Sequence, residues 1–154
     1  MKKKIVSLFE LKGILSKKSG KVVFTNGCFD IIHAGHVKYL AQARSKGDIL
    51  VVGLNSDSSI RRLKGKTRPV NNQNDRAKVL AGLEAVDYIV LFSQDTPYDL
   101  IKTIRPDILV KGGDWKKKDI IGSDIVGSYG GKTITVPYLP NRSTTSILKK
   151  IRAL

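Results

Sequence analysis

The sequence predicts an α/β fold: a single Rossmann-like, doubly wound domain with a mostly parallel, five-stranded sheet. Short apolar runs alternate along the chain with segments of helical periodicity, which is typical of a parallel sheet covered by helices on both faces. The length of 154 residues suits one domain. No internal repeat or low-complexity segment interrupts the pattern, so we predict one domain over residues 1–154.

The first predicted element is a helical lead-in over residues 1–20. Ser7 and Glu10 have the spacing of a capping box, which satisfies the free N–H groups at a helix start. Apolar residues at helical spacing follow them and form one face. Ser19 and Gly20 are expected to end this helix.

The later elements follow from the same two signals. Each predicted strand is a short apolar run, and each predicted helix places apolar residues three or four positions apart, as Val79, Leu80 and Leu83 do. In chain order, the pattern predicts strands at residues 22–24, 49–54, 88–92, 108–110 and 133–136, and helices at residues 37–43, 60–63, 75–85, 97–104, 120–129 and 144–151.

The charge balance points to an anionic partner. Lys and Arg total 28 against 13 Asp and Glu, a formal net charge of +15. Such a surface attracts polyanions, including nucleic acids, nucleotides and sugar phosphates. Many of these lysines also fit an ordinary solvated surface, among them Lys2 to Lys4 and Lys116 to Lys118. Charge therefore indicates the type of partner and leaves its identity open.

Three sequence features exclude other classes of protein. No apolar run approaches the ~20 residues that span a bilayer, so we expect no membrane association. Glu10 and Lys12 interrupt any signal-peptide apolar region. Cys28 is the only cysteine, so a disulfide scaffold is excluded. We therefore expect a cytoplasmic location.

The strongest motif follows the first predicted strand, in the segment TNGCFDIIHAGH at residues 25–36. Both histidines of the chain, His33 and His36, lie in it with Gly35 between them. A helix is predicted to begin here, and free N–H groups at a helix start favour an anion. Two imidazoles beside the same anion stabilise charge that develops on a phosphate. A metal site is not expected, because a third histidine and a second cysteine are missing.

Two further segments follow predicted strands and carry binding groups. Ser143 is predicted to cap the last helix, where hydroxyl and N–H groups form a phosphate cradle or simply an ordinary cap. Lys111 to Trp115 follow the fourth strand, and their glycines permit close approach of the backbone to a ligand. Ligands of doubly wound sheets bind outside the carboxyl ends of the strands, so these segments are expected to converge.

Together these segments resemble the cytidylyltransferase-like nucleotidyltransferases, and within them the D-glycero-β-D-manno-heptose 1-phosphate adenylyltransferases. The similarity runs from about residue 22 to residue 151 and rests on the ordered segments TNGCFDIIHAGHVKYL, VGLNSD, RRLKGKTRP, LVKGGDW and STTSI. It implies that ATP and heptose 1-phosphate give ADP-heptose and pyrophosphate, with Mg²⁺ bound through the ATP phosphates. Such enzymes supply the inner core of lipopolysaccharide.

The resemblance also implies roles for individual residues. Those expected to be catalytic are His33, His36, Lys64 and Arg76. Those expected to bind the nucleotide are Asn26, Gly27, Phe29, Asp30, Gly112, Asp114, Trp115, Ser143, Thr144 and Thr145. The sugar phosphate attacks the α-phosphorus directly, so Cys28 needs no catalytic role. The resemblance further implies a homodimer and a separate heptose kinase that supplies the substrate.

One position departs from a related branch of the family. Glycerol-phosphate cytidylyltransferases place an arginine five residues before their serine, where this chain has Tyr138. The arginine here is Arg142, directly before Ser143, and its role stays open. This difference favours the heptose branch.

Three other functions fit parts of the sequence. A CTP-dependent glycerol-3-phosphate or ethanolamine-phosphate cytidylyltransferase would share the fold and the histidines, and the choice of base depends on pocket contacts. A basic nucleic-acid-binding module would fit the charge, but the chain lacks a stacking aromatic series, a helix-turn-helix signal and a zinc knuckle. A class I aminoacyl-tRNA synthetase fragment would share the histidine motif, but the chain is short and lacks a KMSKS-like loop.

Overall fold

The computed structural model describes residues 3–154 and shows one sheet flanked by helices. The strands of its described part are β1 (Val22–Gly27), β2 (Ile49–Asn55), β3 (Tyr88–Phe92), β4 (Ile108–Gly112) and β5 (Lys132–Val136). Its helices are α1 (Leu8–Leu15), α2 (Ala34–Arg44), α3 (Asp57–Lys64), α4 (Gln73–Ala81), α5 (Tyr98–Ile104), α6 (Ser123–Ser128) and α7 (Thr144–Arg152). All neighbouring strands pair in parallel, in the order β3–β2–β1–β4–β5. The predicted Rossmann-like α/β class is confirmed.

The N-terminal lead-in is only partly helical. The predicted capping box of Ser7 and Glu10 is present at the start of α1. The helix ends at Leu15, earlier than predicted, and Ile5 instead forms a parallel bridge with Ile89 of β3. This segment is extended because the edge of β3 offers free backbone groups to pair with. Met1 and Lys2, part of the predicted lead-in and of the expected lysine surface, lie outside the described residues.

Buried apolar side chains cover both faces of the sheet. Phe24, Val51 and Leu109 pack on the face that α1, α5 and α6 cover. Val52 and Val110 pack on the opposite face, which α2 and α4 cover. Every residue of β2 is buried, which explains its uninterrupted apolar sequence.

The ends of two central strands are polar and lie beside the point where the strand order reverses. A search for apolar runs does not reveal such strand ends. β1 and β4 are both longer than predicted, because Asn26 and Gly27 pair with β2, and Lys111 and Gly112 pair with β5. The chain winds outward from β1 to β3 and then returns to β4 on the other side of β1. Connections diverge there, which leaves a crevice at the carboxyl ends of β1 and β4.

None of the helices within residues 3–154 has both the length and the apolar character that a bilayer crossing requires.

Candidate active site

A cavity of about 740 Å³ occupies this crevice. That volume lies within the range of about 300–1,000 Å³ typical of small-molecule sites. The predicted site residues that line it are Asn26, Gly27, Phe29, Asp30, His33, His36, Lys64, Gly112, Ser143, Thr144 and Thr145. The structure therefore brings together residues from four separate segments of the chain, as their positions after strands predicted.

The two histidines form a stacked pair at the start of α2. Their ring centroids lie 3.8 Å apart, with 24° between the ring planes. The Nδ1 atoms of His33 and His36 are both buried and have no hydrogen-bond partner among the described residues. Gly35 makes the arrangement possible, because a Cβ there would lie 2.9 Å from the His33 ring and 3.2 Å from Cβ of Arg142. Both residues line the cavity, so the stacked pair places two imidazole rings side by side at its wall.

Burial keeps both imidazoles neutral near pH 7. It lowers the pKa of His36 to about 4, helped by His33 and Lys64 and opposed by a hydrogen bond with the Ile31 backbone. Burial likewise lowers the pKa of His33, and the nearby Arg142 guanidinium adds to this effect. Neutral imidazole carries one N–H, so each ring presents one donor and one acceptor nitrogen.

The turn before the histidines has an unusual backbone conformation. Phe29 has a φ of 45°, which places a bulky side chain in the left-handed region. Its ring is buried and lies 5.2 Å from the His36 ring, centroid to centroid. A Cβ at Gly27 would lie 2.9 Å from the Phe29 ring, so glycine is required there. Backbone strain of this kind is concentrated at functional sites.

Asp30 holds the basic loop, residues 64–69, and the two residues after it against the histidine segment. Its carboxylate accepts hydrogen bonds from the backbone N–H groups of Val70 and Asn71 and from Nε of Arg68, all at 2.9–3.0 Å. Burial alone would raise the pKa of Asp30, but these bonds outweigh it and hold the pKa below its usual value. Asp30 therefore has its acceptor capacity occupied by protein groups. Its contribution to the site is to position the loop that carries Arg68.

Arg76 lies elsewhere than the resemblance implied. It is 1% exposed, and its side chain does not line the cavity. Nε and Nη1 donate to the carbonyl oxygens of Asn71 and Cys28 at 3.0 and 2.6 Å. Nη2 donates to the Asn55 carbonyl at 2.9 Å and to the Asp57 carboxylate at 2.8 Å. The guanidinium thus joins the segments around the site and is not placed to hold a phosphate.

The start of α7 closes one side of the cavity. Ser143 caps this helix, as predicted, and forms a capping box with Ser146. The Thr144 hydroxyl donates to the Ile31 carbonyl at 3.2 Å and ties α7 to the histidine segment. Thr145 is exposed at the rim, and Arg142 lines the cavity beside His33. Hydroxyl, N–H and guanidinium groups are therefore collected next to the imidazoles.

The segment after β4 fits the expectation only in part. Gly112 lines the cavity, whereas Asp114 and Trp115 do not, and Trp115 is 51% exposed. A Cβ at Gly112 or Gly113 would lie within 2.7 Å of the Tyr138 ring. The glycines were expected to permit close approach of a ligand to the backbone, and in this structure the group that approaches them is the Tyr138 ring. Gly113 has a positive φ of 98°, a conformation that favours glycine.

Sequence reasoning missed several lining residues, of which Lys111 and Tyr39 matter most. The Tyr39 hydroxyl lies 2.6 Å from the Thr25 hydroxyl and donates to the Val110 carbonyl, and burial raises its pKa. Lys111 lies in a segment that the sequence singled out for its glycines alone. A charged residue at the end of an otherwise apolar strand was the available signal.

The carboxylates of the cavity are already engaged. Asp95 pairs with Arg62, with 2.8 Å between Oδ1 and Nε, and Asp30 is bonded as described above. Within residues 3–154 no cluster of three or more His, Cys, Asp or Glu side chains is arranged to hold a metal ion.

Comparison with known proteins places this geometry in a family. The family model described as cytidylyltransferase-like matches residues 24–149, which covers all four segments of the cavity. The chain belongs to the cytidylyltransferase-like family. The family assignment that the sequence motifs predicted is confirmed.

Several relatives of this cytidylyltransferase-like chain are bifunctional proteins. It is 58% identical over 150 residues to the bifunctional protein HldE of Campylobacter concisus, covering 97% of this chain and 31% of that protein. It is 55% identical over 151 residues to the bifunctional protein HldE of Geobacter sulfurreducens, covering 96% and 31% of the two chains. The chain thus spans about a third of the length of these curated relatives.

A solved structure shares the fold of this cytidylyltransferase-like chain. The lipopolysaccharide core biosynthesis protein from Thermoplasma volcanium superimposes with a TM-score of 0.62 at 27% identity. The match covers 79% of this chain and 98% of the other.

Proposed function

We propose that the chain is an adenylyltransferase that joins the AMP part of ATP to D-glycero-β-D-manno-heptose 1-phosphate. The products are ADP-heptose and pyrophosphate. The observation that carries this proposal is the stacked pair His33 and His36, which lines a cavity together with several cations and the start of α7. Such a set of groups is suited to a triphosphate.

The reaction needs positioning and charge stabilisation more than it needs a protein nucleophile. A phosphate oxygen of the sugar phosphate attacks the α-phosphorus in line, and a new P–O bond forms. The bond between the α-phosphorus and its bridging oxygen to the β-phosphorus breaks, and pyrophosphate leaves with the electron pair. His33 and His36 donate to the phosphate oxygens on which negative charge builds, and Lys64 attracts the triphosphate.

The choice of ATP and heptose 1-phosphate is supported by the relatives. The HldE proteins are bifunctional, and this chain matches about a third of their length. We infer that the matching part is their adenylyltransferase part and that a kinase activity supplies the heptose 1-phosphate. We further propose that residues 1–154 act as one domain, that the protein is a cytoplasmic homodimer, and that it has no specific nucleic-acid partner.

Mg²⁺ fits this site as part of the nucleotide complex. The cavity carboxylates Asp30 and Asp95 already bind arginines or backbone N–H groups, so phosphate oxygens would supply the metal's ligands. The metal would neutralise charge on the leaving pyrophosphate. The chain's own residues would bind and orient the phosphates around it.

The proposal is tested by pyrophosphate release from ATP or CTP with heptose, glycerol and ethanolamine phosphates. We expect turnover with ATP and heptose 1-phosphate, and a kcat lowered about 10²–10³-fold in His36→Ala. A preference for CTP with glycerol 3-phosphate would contradict the substrate assignment and leave nucleotidyl transfer intact. Tight, salt-sensitive, sequence-specific binding of nucleic acid without turnover would contradict both.

A further inference from the structure

The cavity extends over both faces of the sheet edge. Successive side chains of a strand point to opposite faces. Leu109 packs on the α5–α6 face and Val110 on the α2–α4 face, so Lys111 returns to the α5–α6 face. A Cβ at Gly112 would approach Tyr138 and Tyr39, on the opposite face. Lys111 therefore lies across the sheet edge from the residues that surround the histidines.

Other polar residues share the face of Lys111. Asn26 lies two positions after Phe24, which packs on the α5–α6 face. Asn55 lies two positions after Gly53, where a Cβ would meet Phe24 and Leu100. Asn26, Asn55 and Lys111 all line the cavity at adjacent strand ends. The cavity thus has a second polar compartment, away from the start of α7.

Lys111 contributes a positive charge to this second compartment. Its side chain is half-buried, and its Nζ forms no hydrogen bond or ion pair within the described part of the chain. Burial lowers the pKa of Lys111, and the neighbouring Cys28 partly opposes this effect. A partly desolvated ammonium without a partner is costly unless a ligand supplies the opposite charge. An anion is the ligand that this environment selects.

The geometry of in-line transfer calls for a second anion site. The attacking oxygen and the leaving pyrophosphate lie on opposite sides of the α-phosphorus. The start of α7 lies beside the histidine pair, through the Thr144–Ile31 hydrogen bond and the approach of Arg142 to Gly35. Strand alternation places Lys111 on the opposite side of the sheet edge. A single triphosphate held by the histidines therefore leaves Lys111 free for the second substrate.

We propose that Lys111 binds the phosphate of the acceptor substrate, so that the sugar phosphate occupies the α5–α6 side of the cavity. The identity of the acceptor as a sugar 1-phosphate rests on the proposed function. Asn26 lines the cavity on the same face of the sheet. Lys111 would hold the attacking phosphate and orient it toward the α-phosphorus.

The test compares Lys111→Met and Lys111→Arg with the control Lys116→Met, which removes an exposed lysine outside the cavity. Pyrophosphate release is measured while heptose 1-phosphate and ATP are varied separately. We expect Lys111→Met to raise KM for heptose 1-phosphate about 10- to 100-fold, the range expected for losing one charge-assisted hydrogen bond, with KM for ATP unchanged within about twofold. Lys111→Arg should recover part of this loss. Lys116→Met should behave as wild type.

Thermal unfolding separates this role from a structural one. Removing an unpartnered, half-buried ammonium should leave Tm unchanged or raise it. A lower Tm with an unchanged KM for heptose 1-phosphate would overturn the proposal. A selective rise in KM for ATP would also overturn it, because Lys111 would then bind the triphosphate.

Failure of the proposed function is distinguishable from failure of the Lys111 assignment. If wild type prefers another acceptor phosphate from the panel, the same KM comparison is made with that acceptor. If wild type turns over no acceptor, inorganic phosphate is titrated calorimetrically into the complex with α,β-methylene-ATP and Mg²⁺. Weaker phosphate binding by Lys111→Met would then support the anion site, and equal binding would refute it.

Discussion

Replacing the buried guanidinium of Arg76 tests whether this residue supports the site or holds a phosphate. Arg76→Met keeps much of the side-chain volume and removes all four hydrogen bonds to Asn71, Cys28, Asn55 and Asp57. The exposed Arg61, one turn into α3, offers a matched control as Arg61→Met.

The expected loss of stability follows from the groups left behind. The Asp57 carboxylate is 21% exposed and Asn71 is exposed, so water can replace the guanidinium at both. The Asn55 carbonyl, in a residue only 4% exposed, cannot be hydrated in the same way. Breaking a buried, hydrogen-bonded charge pair costs about 3–5 kcal/mol. For a protein of this size that lowers Tm by roughly 10 °C.

Urea denaturation and steady-state kinetics together decide the role. We expect Arg76→Met to lose about 3–5 kcal/mol of unfolding free energy and to lower kcat, since the Cys28 and Asn55 segments would shift. Arg61→Met should match wild type in both measurements. If Arg76→Met kept its unfolding free energy and showed only a large rise in KM for ATP, Arg76 would be a phosphate ligand and the positioning role would be wrong.

Further outcomes are expected for the two histidines and for Asp30. His36→Ala should lower kcat by about 10²–10³ with a smaller change in KM for ATP. His33→Ala should behave similarly. The double variant should lose less activity, measured by pyrophosphate release, than the product of the two single-variant losses. Because the pKa of His36 falls to about 4 on folding, the unfolded chain binds more protons between pH 6.5 and 4, so unfolding free energy should decline as pH falls through that window. Titrating His36→Asn in parallel should show a shallower decline, and identical slopes would contradict this. Asp30→Asn should loosen the basic loop, lower Tm and raise KM for ATP, whereas the exposed control Asp119→Asn should leave both unchanged.

The parts of the fold that depend on local sequence were predictable. Apolar runs marked every strand of the sheet because parallel strands are buried on both faces. The caps Ser7 and Ser143 were visible because capping depends on residues within one turn. Gly35 between two histidines marked the site because close approach of rings to the backbone permits no Cβ.

The parts that depend on distant partners were not predictable. Arg76 was expected to be catalytic, and only folding brings it to the carbonyl groups of Cys28 and Asn55 in two distant segments. Trp115 comes two residues after Gly113, and a single sequence does not reveal the positive φ of that glycine. Ile5 pairs with the edge of β3 although the two are far apart in the chain. Each of these outcomes is set by tertiary contacts and not by local propensity.

The neutral histidines and the permanently charged side chains beside them have different roles in the site. Two charged imidazoles at a centroid distance of 3.8 Å would repel each other by about 4 kcal/mol at an effective dielectric constant near 20. Burial is the main cause that keeps His33 and His36 neutral at pH 7, and the charges of Arg142 beside His33 and of Lys64 beside His36 add to it. A neutral N–H attracts the bound triphosphate less than a full charge does, but the attraction grows as charge builds on the α-phosphate. Because interactions that strengthen in the transition state raise kcat, the histidines act on the chemical step while the fixed cations hold the substrates.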